Sequence, residues 1–148
     1  MKAFNPLFFL LFTITSQAQE IKSDTLNIDS LAAKSKCYLV AGSGGGFSGQ
    51  VVQYYVLSNG DVYRTESLTK ESSLHKKLSK KETKSIFKKL KELHLEKMDF
   101  NHPGNMSYFI EQHKKGNVSS VKWGDNKTET PPEVSSFYKF LMEKISTK

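Results

Sequence analysis

Val134, Phe137, Tyr138, Leu141, Met142 and Ile145 recur at i, i+3, i+4, i+7, i+8 and i+11, an apolar stripe along one side of a helix. Such a helix must bury its stripe against a neighbouring layer, and most of the remaining chain reads as strands. Residues 37–41 form a short strand-like run, and residues 51–57 a longer one rich in β-branched and aromatic side chains. Asn59-Gly60 separates that run from residues 61–67. Asn-Gly tolerates the positive φ of a type I′ turn, so the two runs are expected to pair antiparallel. Residues 106–113 alternate, with Met106, Tyr108 and Ile110 on one face. Lys115-Gly116-Asn117 turns the chain, and residues 118–123 return.

Ser79-Lys-Lys-Glu82 announces another helix. It is a capping box, in which Ser79 accepts the Glu82 N–H and Glu82 reaches back to the Ser79 N–H. Ile86, Phe87, Leu90 and Leu93 supply its apolar face over about residues 80–93. Pro131 and Pro132 suit the first turn of the closing helix, where N–H groups lack partners anyway. Residues 69–77 read as a polar connection, and Asn101-His-Pro-Gly-Asn105 as a turn. The expected architecture is α+β: a single antiparallel sheet of four to five strands (two hairpins plus a short first strand) with two helices packed on one face.

Lys2, the apolar residues 6–14, and Ser16 and Ala18 at the −3 and −1 positions make a Sec signal peptide cleaved near Ala18-Gln19. Its apolar stretch is too short to span a bilayer. No later run is long enough for a transmembrane segment in the mature chain, and no cysteine directly follows the signal as a lipid anchor requires. The expected division is a signal peptide over 1–18, a flexible leader over 19–36, and a single α+β domain over 37–148. The expected compartment is the periplasm or the extracellular medium. Removing 18 residues from 148 leaves 130, enough for one core. Cys37 is the only cysteine, so that core must hold without an internal disulfide. Cys37 itself reads as a small buried residue at a strand start, with an intermolecular disulfide or reactive thiol as the alternative.

Residues 44–51, GGGFSGQV, fit the pattern G-x-G-x-x-G-x-V of kinase phosphate loops. The rest of that machinery is missing: the next basic residue is Arg64, and there is no H-R-D or D-F-G. No helix follows to receive a pyrophosphate, and no Gly-Lys-Ser/Thr ends the loop. The loop therefore reads either as a wide connection or as a binding loop. In the second reading Gly44, Gly45, Gly46 and Gly49 present Phe47 as an apolar tip, with Tyr54 or Tyr55 as further aromatic anchors.

His75, His94, His102 and His113 show no ligand spacing, and Cys37 is isolated, so neither a metal nor a cofactor is expected. Lys80, Lys81, Lys84, Lys88 and Lys91 make a basic helix face that can attract polyanions such as anionic lipid. Arg64 is the sole arginine, which argues against dedicated nucleic-acid binding. The leading functional expectation is a secreted or periplasmic, non-catalytic module that binds a protein partner. The alternatives are a small cofactor-independent hydrolase, marked by a cleft gathering His102, Asn105 and Asp99, and a weak envelope polyanion binder acting through the lysine helix.

Gln50-Val-Val-Gln53 opens like the Q-x-V-x-G hairpin of cystatin-type protease inhibitors. Tyr54 stands where the glycine belongs, and the main helix follows the hairpin instead of preceding it, so no inhibitory residue is assigned. More broadly, the Ser58-Asn-Gly-Asp-Val-Tyr63 hairpin, capped helix, second hairpin and Pro-Pro helix resemble small uncharacterised exported domains of Bacteroidota bacteria, over about residues 37–146. That resemblance implies a fold and a compartment, and carries no activity.

Overall fold

The computed structural model describes residues 28–69 and 72–146. The stretch read as a signal peptide, residues 1–18, and residues 19–27 lie outside them. In chain order the elements are α1 (Ile28–Ala33), β1 (Cys37–Gly45), β2 (Gln50–Leu57), β3 (Asp61–Glu66), β4 (Ser72–Lys77), α2 (Lys80–Leu93), a 3-10 turn (Leu95–Lys97), β5 (Asn101–His102), β6 (Met106–Lys114), β7 (Asn117–Trp123) and α3 (Pro132–Ile145). The strands form one sheet in the order β4-β3-β2-β1-β6-β7-β5. Every neighbouring pair is antiparallel except β5 and β7, which run parallel.

The sheet is therefore mixed and seven-stranded, which corrects the expected antiparallel sheet of four to five strands. The two additional strands are the ones with the weakest strand chemistry. β4 is Ser-Ser-Leu-His-Lys-Lys, and its one large apolar residue, Leu74, is 55% exposed. It sits at the sheet edge opposite a register break between Val62 and Tyr63. Lysines and an irregular register are what blunt an edge strand against unwanted pairing. β5 is only two residues long and lies within the segment read as a turn. β1 also runs four residues beyond its expected end at Ala41, carrying Gly42, Gly44 and Gly45 into the sheet. Within the stretch read as a leader, α1 buries Ile28 and Ala32. Cys37 opens β1 and is half-buried.

Side-chain alternation sends Leu39 and Ala41 of β1, Val56 of β2, Val62 of β3, Ile110 of β6, and Val121 and Trp123 of β7 to one face. There they form a single core with Ile86, Leu90 and Leu93 of α2 and Val134, Phe137, Leu141 and Ile145 of α3. Both long helices thus lie on one side, and the opposite face of β2, β1, β6 and β7 is free of them.

The turns exchange roles relative to expectation. At Asn59-Gly60 only the glycine has positive φ, 94°, and its N–H bonds the Leu57 carbonyl at 3.0 Å. This is a three-residue loop with a left-handed glycine, not a type I′ turn. Two consecutive positive φ angles occur instead at Lys115 (52°) and Gly116 (82°), between paired Lys114 and Asn117.

The capping box of α2 is present. The Ser79 N–H donates to Glu82 Oε2 at 2.9 Å, and the Glu82 N–H donates to Ser79 Oγ at 3.2 Å. The Ser79 hydroxyl and N–H together hold the Glu82 carboxyl below its ordinary value. Ser79→Ala is expected to cost about 1 kcal/mol, read as a lower urea midpoint at unchanged slope. Because the Glu82 pKa is depressed in the folded state, its contribution is present at neutral pH. It is lost as pH falls through the folded value, so the difference between wild type and Ser79→Ala should shrink in acid. A difference that stays constant into strong acid counts against the reciprocal box.

Candidate functional site

The glycine segment closes one end of the sheet. After β1 the chain turns through residues 46–49, with φ of 117° at Gly45, 68° at Gly46 and 63° at Gly49. The turn is tied down: the Gly46 N–H donates to the Asn105 carbonyl at 2.7 Å and the Gly49 N–H to the Gly46 carbonyl at 3.3 Å. At its tip Phe47 is fully exposed. Met106 lies directly beneath, its sulfur 3.2 Å from where a Cβ on Gly46 would stand. Met106 is 43% exposed and Tyr108, two residues on along β6, 37% exposed.

Tyr108 is backed by the core. It stacks on Trp123 at 5.9 Å between centroids and meets the edge of Tyr138 at 5.7 Å. Tyr138 in turn meets Trp123 at 5.1 Å and donates its hydroxyl to the Gly42 carbonyl at 3.1 Å. Burial, followed by the neighbouring Tyr108, pushes the Tyr138 phenol from 10.0 up to about 12, while the Ser43 hydroxyl acts in the opposite sense. With its folded pKa raised, Tyr138 keeps its proton longer than it does in the unfolded chain. Stability from this group is intact below about pH 10 and declines between about pH 10 and 12 as the unfolded state ionises first. Denaturant titrations across that window should show the decline, reduced in Tyr138→Phe. An equally steep decline in the variant rules this origin out.

Tyr54 and Tyr55 do not join Phe47. Tyr54 is about four residues, or roughly 13 Å, along β2 from the loop, half-buried against the helix-side core. It meets the ring of His75 edge-on at 5.4 Å. Its hydroxyl also bonds Arg64, which pairs with Glu66, and together these bonds outweigh burial and raise the Arg64 pKa. Tyr55 points to the opposite face, where it stacks with Tyr38 at 6.4 Å, and Tyr38 stacks with His113 at 4.3 Å. Met106, paired with Gly45, is the large apolar side chain that lies against the turn, with Tyr108 two residues further along β6. Their alternation was visible in the sequence, but the pairing of β6 with β1 that brings Met106 under the loop was not.

Lys80, Lys81, Lys84, Lys88 and Lys91 are all exposed on α2, with Lys88 paired to Glu92 at 3.8 Å. Lys91 lines a hollow of about 350 Å³ with His94, Lys114 and Lys115, at the end of the sheet away from Phe47. His102 lies against Phe100 at 4.8 Å and 3.4 Å from the Thr128 hydroxyl. Asn105 serves the glycine turn through its carbonyl. Asp99 lines a groove whose walls include Asn101 and Gly104, the neighbours of His102 and Asn105, but not those two residues themselves. Among the described residues no three His, Cys, Asp or Glu side chains converge to hold a metal ion. Among them, too, no helix is long and apolar enough to cross a membrane.

The groove in question, about 690 Å³, lies on the sheet face opposite α2 and α3. The pairing register sets its floor: Val51, Gly44 and Ser107 make one row across β2, β1 and β6, and Gln53, Gly42, Phe109 and Lys122 make the next, reaching β7. Glu111 and Ser120 follow. The Phe109 ring leans over Gly42, where a Cβ would stand 2.9 Å from its Cζ. Residues 98–101 form the far wall, and Gly45 and Gly49 of the glycine turn form the lip.

Compared with known proteins, the chain matches no family model and no curated protein.

Proposed function

We propose that this chain is an exported, non-catalytic binding module that docks onto a protein partner through Phe47. The observation that carries the reading is the full exposure of a large aromatic side chain at the tip of a hydrogen-bonded turn. An isolated aromatic in water gains from burial in a partner's pocket, about 2–3 kcal/mol for a phenylalanine. A turn already held by Asn105 loses little further freedom on binding, so more of that gain appears as affinity. Met106, exposed against the turn, adds apolar surface next to such an anchor. The signal-like segment at residues 1–18 supports a periplasmic or extracellular setting.

The test compares capture from envelope extract by the wild type and by Phe47→Ala, at low and moderate salt, followed by titration of the purified captured protein. Phe47→Ala should leave the urea midpoint unchanged, because the side chain has no intramolecular burial to lose. Its affinity for the partner should fall about tenfold or more while remaining insensitive to salt. Capture that ignores Phe47 and disappears with salt would move the function to the lysines of α2.

A further inference from the structure

We propose that the groove on the sheet face opposite α2 and α3 is a second, independent binding site, and that its ligand is a neutral saccharide. Its volume of about 690 Å³ lies within the range of small-molecule sites. Polar side chains dominate the lining: Gln53, Asp99, Asn101, Glu111, Ser120 and Lys122. An apolar ligand would strip water from these groups and return no hydrogen bonds, at a cost no burial on this surface offsets. An anionic ligand would meet two carboxylates, Asp99 and Glu111, against one ammonium, Lys122.

A peptide fares little better. The groove runs across β2, β1, β6 and β7; beneath it β2, β1 and β6 are paired on both sides, and β7 is paired with β6 and, at Lys122 and Trp123, with β5. An extended chain lying there finds no open main-chain ladder, which is the source of affinity when a strand is added to a sheet.

A neutral polyol matches the lining. Each hydroxyl both donates and accepts, so it can donate a hydrogen bond to Asp99 or Glu111 and accept one from Lys122, Asn101 or Gln53. Bonds to the charged groups are the stronger ones. Some of these groups also have partners within the fold: Glu111 Oε2 lies 3.4 Å from His113 Nε2, Gln53 Oε1 accepts from the Tyr55 and Thr65 hydroxyls at 3.4 and 3.5 Å, and the Ser107 hydroxyl bonds the Gly104 N–H at 3.2 Å and carbonyl at 3.0 Å. The apolar face of a sugar ring finds Phe100, half-buried in the far wall, and Val51 on the floor. At Gly44, Gly45 and Gly49 the absence of side chains leaves the lip low. The site shares that lip with the Phe47 turn but uses other side chains, so it does not depend on the docking reading.

The experiment is an amide NMR titration of the ¹⁵N-labelled domain with cello-, malto- and chitotetraose as neutral probes and a tetragalacturonate as the charged control. Binding at about 1 mM or tighter by one of the neutral probes is expected. Its shifts should centre on Gln53, Asn101, Glu111 and Lys122. Asn101→Ala and Glu111→Gln should each weaken it about tenfold, and Phe47→Ala should leave it unchanged. Both variant positions sit at the surface, so retention of the dispersed spectrum verifies their fold. Three results overturn the proposal: no shifts from any neutral probe at about ten times that concentration, preference for the charged control, or shifts that follow Phe47 instead of the groove.

Discussion

Gly124→Ala is expected to leave the chain unable to hold its native sheet. Gly124 follows β7 with φ at 144°, a region closed to residues with a Cβ, and a Cβ there would stand 1.9 Å from the Met106 carbonyl oxygen. Two further backbone atoms, the Met106 carbonyl carbon and the Ser107 Cα, would lie within 3.0 Å. Nothing flexible can yield, because all three neighbours are main chain at the start of β6. Gly104 presses on the same point from the other side, its own Cβ position 1.9 Å from the Gly124 carbonyl oxygen. The combined conformational and steric cost is about 4 kcal/mol or more, comparable with the whole stability of many small domains. Gly116→Ala supplies the comparison: φ is 82°, yet nothing lies within 4 Å of its Cβ. There the cost is confined to the backbone region, about 1–2 kcal/mol. Urea unfolding by circular dichroism separates the two, and similar midpoints for both variants would show that the close approach relaxes cheaply.

Trp123→Ala is the second large effect. Trp123 is 9% exposed and joins Tyr108 and Tyr138 where α3 meets the end of β7. Truncating a buried tryptophan removes its transfer free energy and leaves a cavity, costing about 3–5 kcal/mol. Here the void opens beside Tyr138, so the hydroxyl bond to Gly42 that ties α3 to β1 is expected to weaken as well. Trp123→Phe keeps most of the stacking surface and should lose less than half as much. Tyr138→Phe, which removes only a hydrogen bond from a half-buried group, should cost about 1 kcal/mol. A Trp123→Ala variant no less stable than Tyr138→Phe would refute the cluster's structural role.

The two long helices were legible in the sequence because each carries redundant local signals, whereas the short α1 fell in a stretch read as a leader. Ser79 and Glu82 mark the start of α2, and six apolar residues at helical spacing mark α3. The hairpin strands were legible for the same reason, through alternation and turn glycines. β4 was not, since an edge strand buries little: Leu74 faces solvent, and lysines fill the positions where a central strand would be apolar. The positive-φ pair at Lys115-Gly116 was hidden because lysine carries no propensity for that region, while Asn59 displayed the propensity without using it. For the candidate site, composition pointed to the glycine turn, and Phe47 at its tip lies in solvent. Its neighbours were invisible, because Met106 reaches the turn only through the pairing of Gly45 with Met106. The groove needed the same long-range register, which alone aligns Gln53 with Phe109 and Lys122.

That register has a kinetic consequence. Strands β1 to β4 follow one another along the chain and can assemble as a meander while the remainder is unstructured. β6 and β7 can likewise zip from their two-residue turn. The seam that joins these halves pairs Gly45 with Met106 at its nearer end and Cys37 with Lys114 at its farther end. Closing so long a loop costs entropy before any contact across it is rewarded. On its β1 side the seam offers few side chains to capture the partner, because three of its nine residues are glycine. Until β6 arrives, the meander has an open edge of its own, so the slow step of folding is also the one in which this chain is most prone to pair with a second copy of itself.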